Sequence, residues 1–222
     1  MRDNRAWTVA DHLAIFREDS GFRTSVSLNV SAERHPTAEF VEAAVVAMDD
    51  ASWSVRTSGA KFFGIASIAR QRESVPAALW SRGETRLRAL LQDSNVTVAV
   101  EAAMALGHVA PTTTNARVVF PFLWSVVEEL HAERYYMWAV ANATALFAGT
   151  APEEAIRIAP TLLQHSDSEI VCLGLDAIEQ CGSLATPFLP RIAELAKDAD
   201  EDIAESAEQA LRKLGHASPT TG

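Results

Sequence analysis

The sequence predicts an all-α chain of stacked helical hairpins, an α-α superhelix of solenoid type. Three observations carry this. Of 222 residues 39 are Ala, against 10 Gly and 9 Pro, a balance that favours helix and close helix–helix contact. One pattern recurs along the chain: an apolar pair, a polar turn with Asp or Ser, a β-branched residue, then small residues and Ala-Leu at helical spacing. A hairpin of this kind cannot bury its apolar stripe alone and must stack on a neighbour.

The opening, residues 1–36, reads as a degenerate helical cap. Ile15 to Ser20 precede Phe22 to Val30, where Val26, Leu28 and Val30 alternate as in a strand, while Phe22, Val26 and Val30 also fit helix spacing. Helix is the expectation, because the neighbouring units are helical. From Ala47 the repeat is clearer: Met48-Asp49-Asp50, then Val55-Arg56, Gly59 and Phe62-Phe63. The plainest copies run from Leu90 to Gly107, from Leu162 to Ile178 and from Leu195 to Leu211, at offsets of 72 and 33 residues. The first offset therefore spans two units of about 36 residues. A weaker copy covers Val126 to Gly149, with Trp138 and Ala145-Leu146 in the corresponding places.

Each copy makes a hairpin of two helices, A and B. Helix A ends at the polar turn, where Asp or Ser caps helix B. In the Leu90 copy, Val98, Ala102, Ala105, Leu106 and Val109 fall on one side of helix B, and the small residues let the hairpin close tightly. These units resemble HEAT repeats of the armadillo-like superhelical class. Pro190 to Asp198, running on to Ile203 and Ala207, matches best: a proline in helix A, Asp at the turn, an apolar start to helix B. Pro121-Phe122-Leu123 and Pro160-Thr161-Leu162-Leu163 repeat the helix-A feature, and Val55-Arg56 matches the Val-Arg pair that opens helix B in the family. The other copies lack that Arg, so a ladder of Asp–Arg contacts is expected to be incomplete. The resemblance implies five to six HEAT-like hairpins over residues 37–215, followed by a flexible tail at 216–222.

Composition excludes several functions. No apolar run approaches the roughly 18–20 residues of a membrane helix. No apolar core of about 7–15 residues follows the partly basic Met1–Trp7, so no secretory signal is expected. Cys172 and Cys181, nine residues apart on one helix, lie on opposite faces and cannot bond to each other. Reduced buried thiols in a cytoplasmic protein are the expectation. The formal charge of −10 is concentrated late, with −8 in residues 151–222. That balance opposes phosphate backbones and disfavours general nucleic-acid binding. Arg70, Arg72, Arg82, Arg86 and Arg88 form a local exception, either a solvated helix edge or a contact for an anionic partner.

No constellation for catalysis stands out. His12, His35, His108, His131, His165 and His216 are scattered, without a His-x₃-His or Cys-x₂-Cys pair. Deoxyhypusine hydroxylase, an enzyme of the HEAT-like class, uses His-Glu dipeptides as iron ligands, and no His here precedes Glu. Nucleophile-elbow, P-loop and dinucleotide-binding patterns are missing. Chromophore lyases share the repeat, but no residue pattern selects them; glycosylase-like members need a positive cleft that the acidic balance opposes. No catalytic residue, metal or cofactor is assigned.

What remains is a surface. In HEAT-like arrays the B helices line the concave face, which here gives the stripe Thr97, Glu101, Met104 and His108 at i, i+4, i+7, i+11. Aligned with it are Ser54, Ser58, Lys61 and Ile65; Met137, Ala141, Thr144 and Ala148; Glu169, Leu173, Asp176 and Gln180; and Asp202, Ser206, Gln209 and Lys213. Residues expected to touch a partner are Lys61, Glu101, Met104, His108, Met137, Thr144, Glu169, Leu173, Asp176 and Gln180. Such a groove is acidic late and suits a basic or helical protein. Trp53, Trp124 and Trp138 are expected in the core, with Trp80 less committed. The functional expectation is a protein-binding scaffold or adaptor; the alternative is a lyase or glycosylase-like enzyme with its site in the groove.

Overall fold

Polar turns set the helix starts. Asp50 Oδ1 accepts from Ser52 N at 3.0 Å, Asp93 Oδ1 from Asn95 N at 2.9 Å and Asp198 Oδ1 from Asp200 N at 3.0 Å. At the equivalent place His165 Nδ1 accepts from Asp167 N at 3.0 Å, so an imidazole replaces the carboxylate. Asn95, Asp167 and Asp200 then cap the helices that follow them, as the turn composition predicts.

The computed structural model describes residues 7–18, 36–69 and 74–215. The expectations for Phe22 to Val30, for Arg70 and Arg72 and for the tail 216–222 lie outside the described residues. Among the described residues all regular structure is helical. By its contacts the chain divides into two compact units, Met1–Ala110 and Pro111–Gly222, where the repeats alone suggest one continuous array over 37–215.

The first unit holds α1 (Val9–Arg17), α2 (Ala38–Ala47), α3 (Trp53–Ile68), α4 (Ala77–Leu90) and α5 (Val96–Val109). Helices α2/α3 and α4/α5 are the hairpins, with the B helices α3 and α5 packed along each other. A Cβ at Gly59 would sit 2.8 Å from the Ala44 carbonyl oxygen and 2.9 Å from Met48 N, so only glycine lets α2 and α3 close. Helix α1 covers α2 through Phe16 and Phe40, whose rings lie 5.8 Å apart. The Asp–Arg ladder forms where its parts exist. Arg56 reaches across to Asp93 in the next turn, and Arg17 does the same to Asp50.

The second unit holds α6 (Thr113–Leu130), α7 (Arg134–Ala148), α8 (Pro152–Leu162), α9 (Ser168–Gln180), a 3₁₀ segment (Gly182–Phe188), α10 (Leu189–Leu195) and α11 (Glu201–Lys213). The hairpins are α6/α7, α8/α9 and α10/α11; the B helices α7, α9 and α11 pack in sequence. Phe120 and Phe147 meet edge-on across the first hairpin at 6.3 Å. Gly174 lets α9 approach α8, since a Cβ there would lie 2.8 Å from Leu162 Cβ. Leu163, Val171, Ile178, Ile192 and Leu211 join one apolar cluster under the last two hairpins.

Candidate partner-binding surface

Four of the residues expected on the B-helix surface are buried. Glu101 is 8% and Met104 6% exposed, within a run of α5 that is buried from Val98 to Gly107. Met137 and Thr144 are fully buried. Helix α7 begins after Glu133, whose side chain makes no cap bond and is not of a type that marks a helix start in sequence. Counted from the cap, the partners of Thr97, Glu101, Met104 and His108 are Tyr135, Ala139, Asn142 and Leu146. The stripe read from sequence is two residues late, and two residues turn a helix by about 200°. That shift selects the core face.

The other predicted residues keep some exposure. Lys61 is exposed on α3, its Nζ 5.7 Å from the centre of the Phe62 ring. His108 is half-buried, and burial lowers its pKa. Glu169 and Gln180 are exposed on α9, with Leu173 and Asp176 half-buried between them. Tyr135, at 41% exposure, and half-buried Trp138 join this region from α7. Sequence reasoning missed Tyr135 as a surface residue; the aromatic run Arg134 to Trp138 at a helix start was the available signal. The tryptophan expectation also changes. Trp53 is 51% exposed and Trp124 half-buried, whereas Trp80 is buried against Phe63 with ring centres 5.1 Å apart.

The α7–α9–α11 face is acidic, and its cations are already engaged. Arg134 pairs with Asp167 and Glu169, and Trp138 Nε1 donates to Glu169 Oε1 at 2.7 Å. Lys213 of α11 pairs with Glu179. Gln180 Nε2 donates to the Ala145 carbonyl at 3.2 Å, tying α9 to α7. Asp176 and Asp202 have no ion-pair partner among the described residues. Burial, then the neighbouring Glu179, raises the pKa of Asp176, with Lys213 opposing.

These differences predict opposite outcomes for one kind of change. Glu169→Lys with Asp176→Lys should leave the melting transition within about 1 kcal/mol of wild type, as exposed and half-exposed charges generally do. Glu101→Lys should cost on the order of 3–5 kcal/mol, because it places an ammonium at a buried position. Urea unfolding of the variants measures both; equal losses would show that Glu101 is not buried.

The arginine cluster is internally neutralised where it is described. Arg82 pairs with Glu42 at 3.3 Å, Arg86 Nε with Asp49 at 3.0 Å and Arg88 with Glu84 at 2.6 Å. Those contacts favour the solvated helix edge over an anionic contact. Among the described residues no group of three His, Cys, Asp or Glu could hold a metal ion, and no helix is long and apolar enough to cross a membrane.

Both cysteines are free thiols, Cys181 buried and Cys172 half-buried. Burial pushes Cys181 up to about 11, and its Sγ donates to the Ala177 carbonyl. Cys172 is raised by burial first, against a lowering hydrogen bond with Ser206, and further by Asp202, Asp176 and Asp200. Iodoacetamide near about pH 7.5 should therefore label neither thiol readily until denaturant is added. Rapid labelling of the native protein at either position would contradict this, and mass spectrometry reads it directly.

No protein-family model matches the sequence, and no curated protein matches it. Solved structures do resemble it. Two engineered proteins align with TM-scores of 0.64 and 0.61 at 17% and 16% identity. They cover 93% and 94% of this chain and 96% and 59% of their own. The chain has a helical solenoid-like fold. A chain of the complex of CpcE and CpcF, the phycocyanin lyase from Nostoc sp., also aligns, with a TM-score of 0.58 and 16% identity. That match covers 97% of this chain and 80% of the other. At these identities the likeness is one of fold.

Proposed function

We propose that this chain is a cytoplasmic protein-binding scaffold or adaptor that acts through its B-helix faces on a basic or amphipathic helical protein. The α9 face is the observation that carries the reading. It presents Leu173 between Glu169 and Asp176, and α11 adds exposed Asp202. An amphipathic helix docks with apolar residues on such a site and its cations against the carboxylates. Regulation or neutralisation of a basic protein would be one use. Affinity capture with the intact chain, read by mass spectrometry, identifies the partner. The Glu169→Lys, Asp176→Lys variant should then lose it, since like-charge contact costs several kcal/mol. Undiminished capture by that folded variant would exclude the α9 face.

The fold likeness to the phycocyanin lyase complex supports a second reading, an enzyme of the chromophore-lyase kind. Incubation with a bilin and an apo-phycocyanin subunit separates the two. Covalently coloured protein would favour the lyase, and its formation is not expected of a scaffold. Duplex DNA should not bind near physiological salt, given the net charge of −10; micromolar affinity there would favour the glycosylase-like alternative.

A further inference from the structure

The seam between the A helices of the second unit is open, and it is lined by chemistry that the B-helix face does not use. A pocket of about 410 Å³ lies between α6 and the start of α8. Small-ligand sites span roughly 300–1,000 Å³. One wall is a helical stripe of α6, with Thr113, Ala116, Arg117 and Pro121 at i, i+3, i+4 and i+8. The other wall is Thr150 and Ala151 of the α7–α8 loop with Pro152, Glu153 and Glu154 at the start of α8.

The comparable seam in the first unit is closed by charge. Arg82 and Arg86 of α4 reach Glu42 of α2 and Asp49 just beyond it. In the second unit a cation and an anion also face the seam, Arg117 on α6 and Glu153 on α8, yet they do not meet. Neither has an ion-pair partner among the described residues. Glu154 is engaged by Arg157 at 2.9 Å, and Arg157 lies 5.4 Å from the Trp124 ring, so the seam closes only one turn further along. The loop wall is fixed, because Thr150 Oγ1 donates to the Pro111 carbonyl at 2.7 Å.

The geometry points to a binding site for a small zwitterion of the apolar amino-acid class. Its carboxylate binds Arg117, its ammonium binds Glu153, and its side chain lies against Ala116, Pro121 and Pro152. A ligand with a single negative charge meets repulsion from Glu153, and one with a single positive charge meets Arg117. Opposite charges held apart across apolar walls therefore select a ligand that carries both. The site stands apart from the B-helix face, so either reading holds or fails without the other.

Amide chemical-shift titration of the full chain tests it, with alanine, valine and leucine as probes and isovalerate and isoamylamine as single-charge analogues of leucine. At least one amino acid should shift Thr113, Arg117, Thr150 and Glu153 saturably, with both analogues at least about tenfold weaker. Arg117→Gln and Glu153→Gln, both surface changes, should each weaken binding by at least about tenfold while helix content stays the same. No saturable shift from any of the three amino acids up to about 10 mM would overturn the site. Equal binding of an analogue, or wild-type affinity in either variant, would overturn it too.

Discussion

Replacing Arg56 by Met should destabilise the first unit by roughly 2–3 kcal/mol. Arg56 holds Asp93 through two parallel bonds, Nε to Oδ2 at 2.7 Å and Nη2 to Oδ1 at 2.9 Å. Its Nη1 also donates to the Asp50 and Ala51 carbonyls at 2.9 Å each. The pair is largely shielded, with side-chain exposures of 17% and 8%, so it escapes most of the screening that makes surface pairs weak. Met keeps the packing of the stem but leaves a shielded carboxylate with only its bond from Asn95 N, and two carbonyls without their donor. The pH dependence gives a second readout. Arg56 holds the Asp93 carboxyl below its usual range. A carboxylate with a lowered folded pKa contributes stability above its unfolded value of about 3.9, and that contribution is lost as pH falls through the folded pKa. Wild type should therefore lose more stability than Arg56→Met between about pH 5 and pH 2. Urea denaturation of both proteins across that range checks it; equal stability at neutral pH would show that the bridge contributes nothing.

The same contact shows how far the fold was legible. Val55-Arg56 and the turn aspartate of the next repeat are visible as a pattern, and the pattern is enough to predict their meeting. Where the array lacks an Arg at the position of Arg56, a different residue makes the contact: Arg134, at the first position of α7, reaches Asp167. That substitution is not readable from spacing, since it depends on where α7 begins. The hairpins themselves were legible because caps and small residues coincide. Asn95, Asp167 and Asp200 fix the starts of α5, α9 and α11, and Ala102, Gly174 and Ala207 fall seven residues after each cap.

The surface was less legible, for two physical reasons. A helical stripe gives direction only if the start of the helix is known. Glu133 is not a residue type that marks a helix start, so sequence spacing places Met137 and Thr144 on the face opposite to the one they occupy. A stripe also says nothing about how many sides of a helix are covered. In α5 only Thr97, Glu101 and His108 are strongly polar among fourteen residues, which already argues against an open face there. In α9 the contrast is stronger. Glu169, Asp176 and Gln180 oppose Ile170, Val171, Leu175 and Ile178, and the expected exposure follows.

Gly83→Val should unfold the first unit, and Gly83→Ala should cost roughly 2 kcal/mol despite the better helix former. On propensity alone, Gly to Ala inside a helix gains about 1 kcal/mol. Here α4 crosses α3 with the Phe63 ring seated on Gly83. A Cβ at that position would lie 2.6 Å from Cε1 of Phe63 and closer still to two other ring atoms. Phe63 is fully buried, and its ring also packs on Trp80, three residues before Gly83 on α4. The ring therefore has no free space to swing into, and α4 must lift away from α3. Phe63→Leu costs stability by itself, since it removes packed ring atoms. It also removes the atoms that the new methyl meets. Gly83→Ala combined with Phe63→Leu should thus lose less than the two single losses together, with a coupling of about 1 kcal/mol or more. Denaturant unfolding of the four proteins gives that coupling. Additive losses, or a Gly83→Ala variant more stable than wild type, would show that the ring does not rest on this glycine.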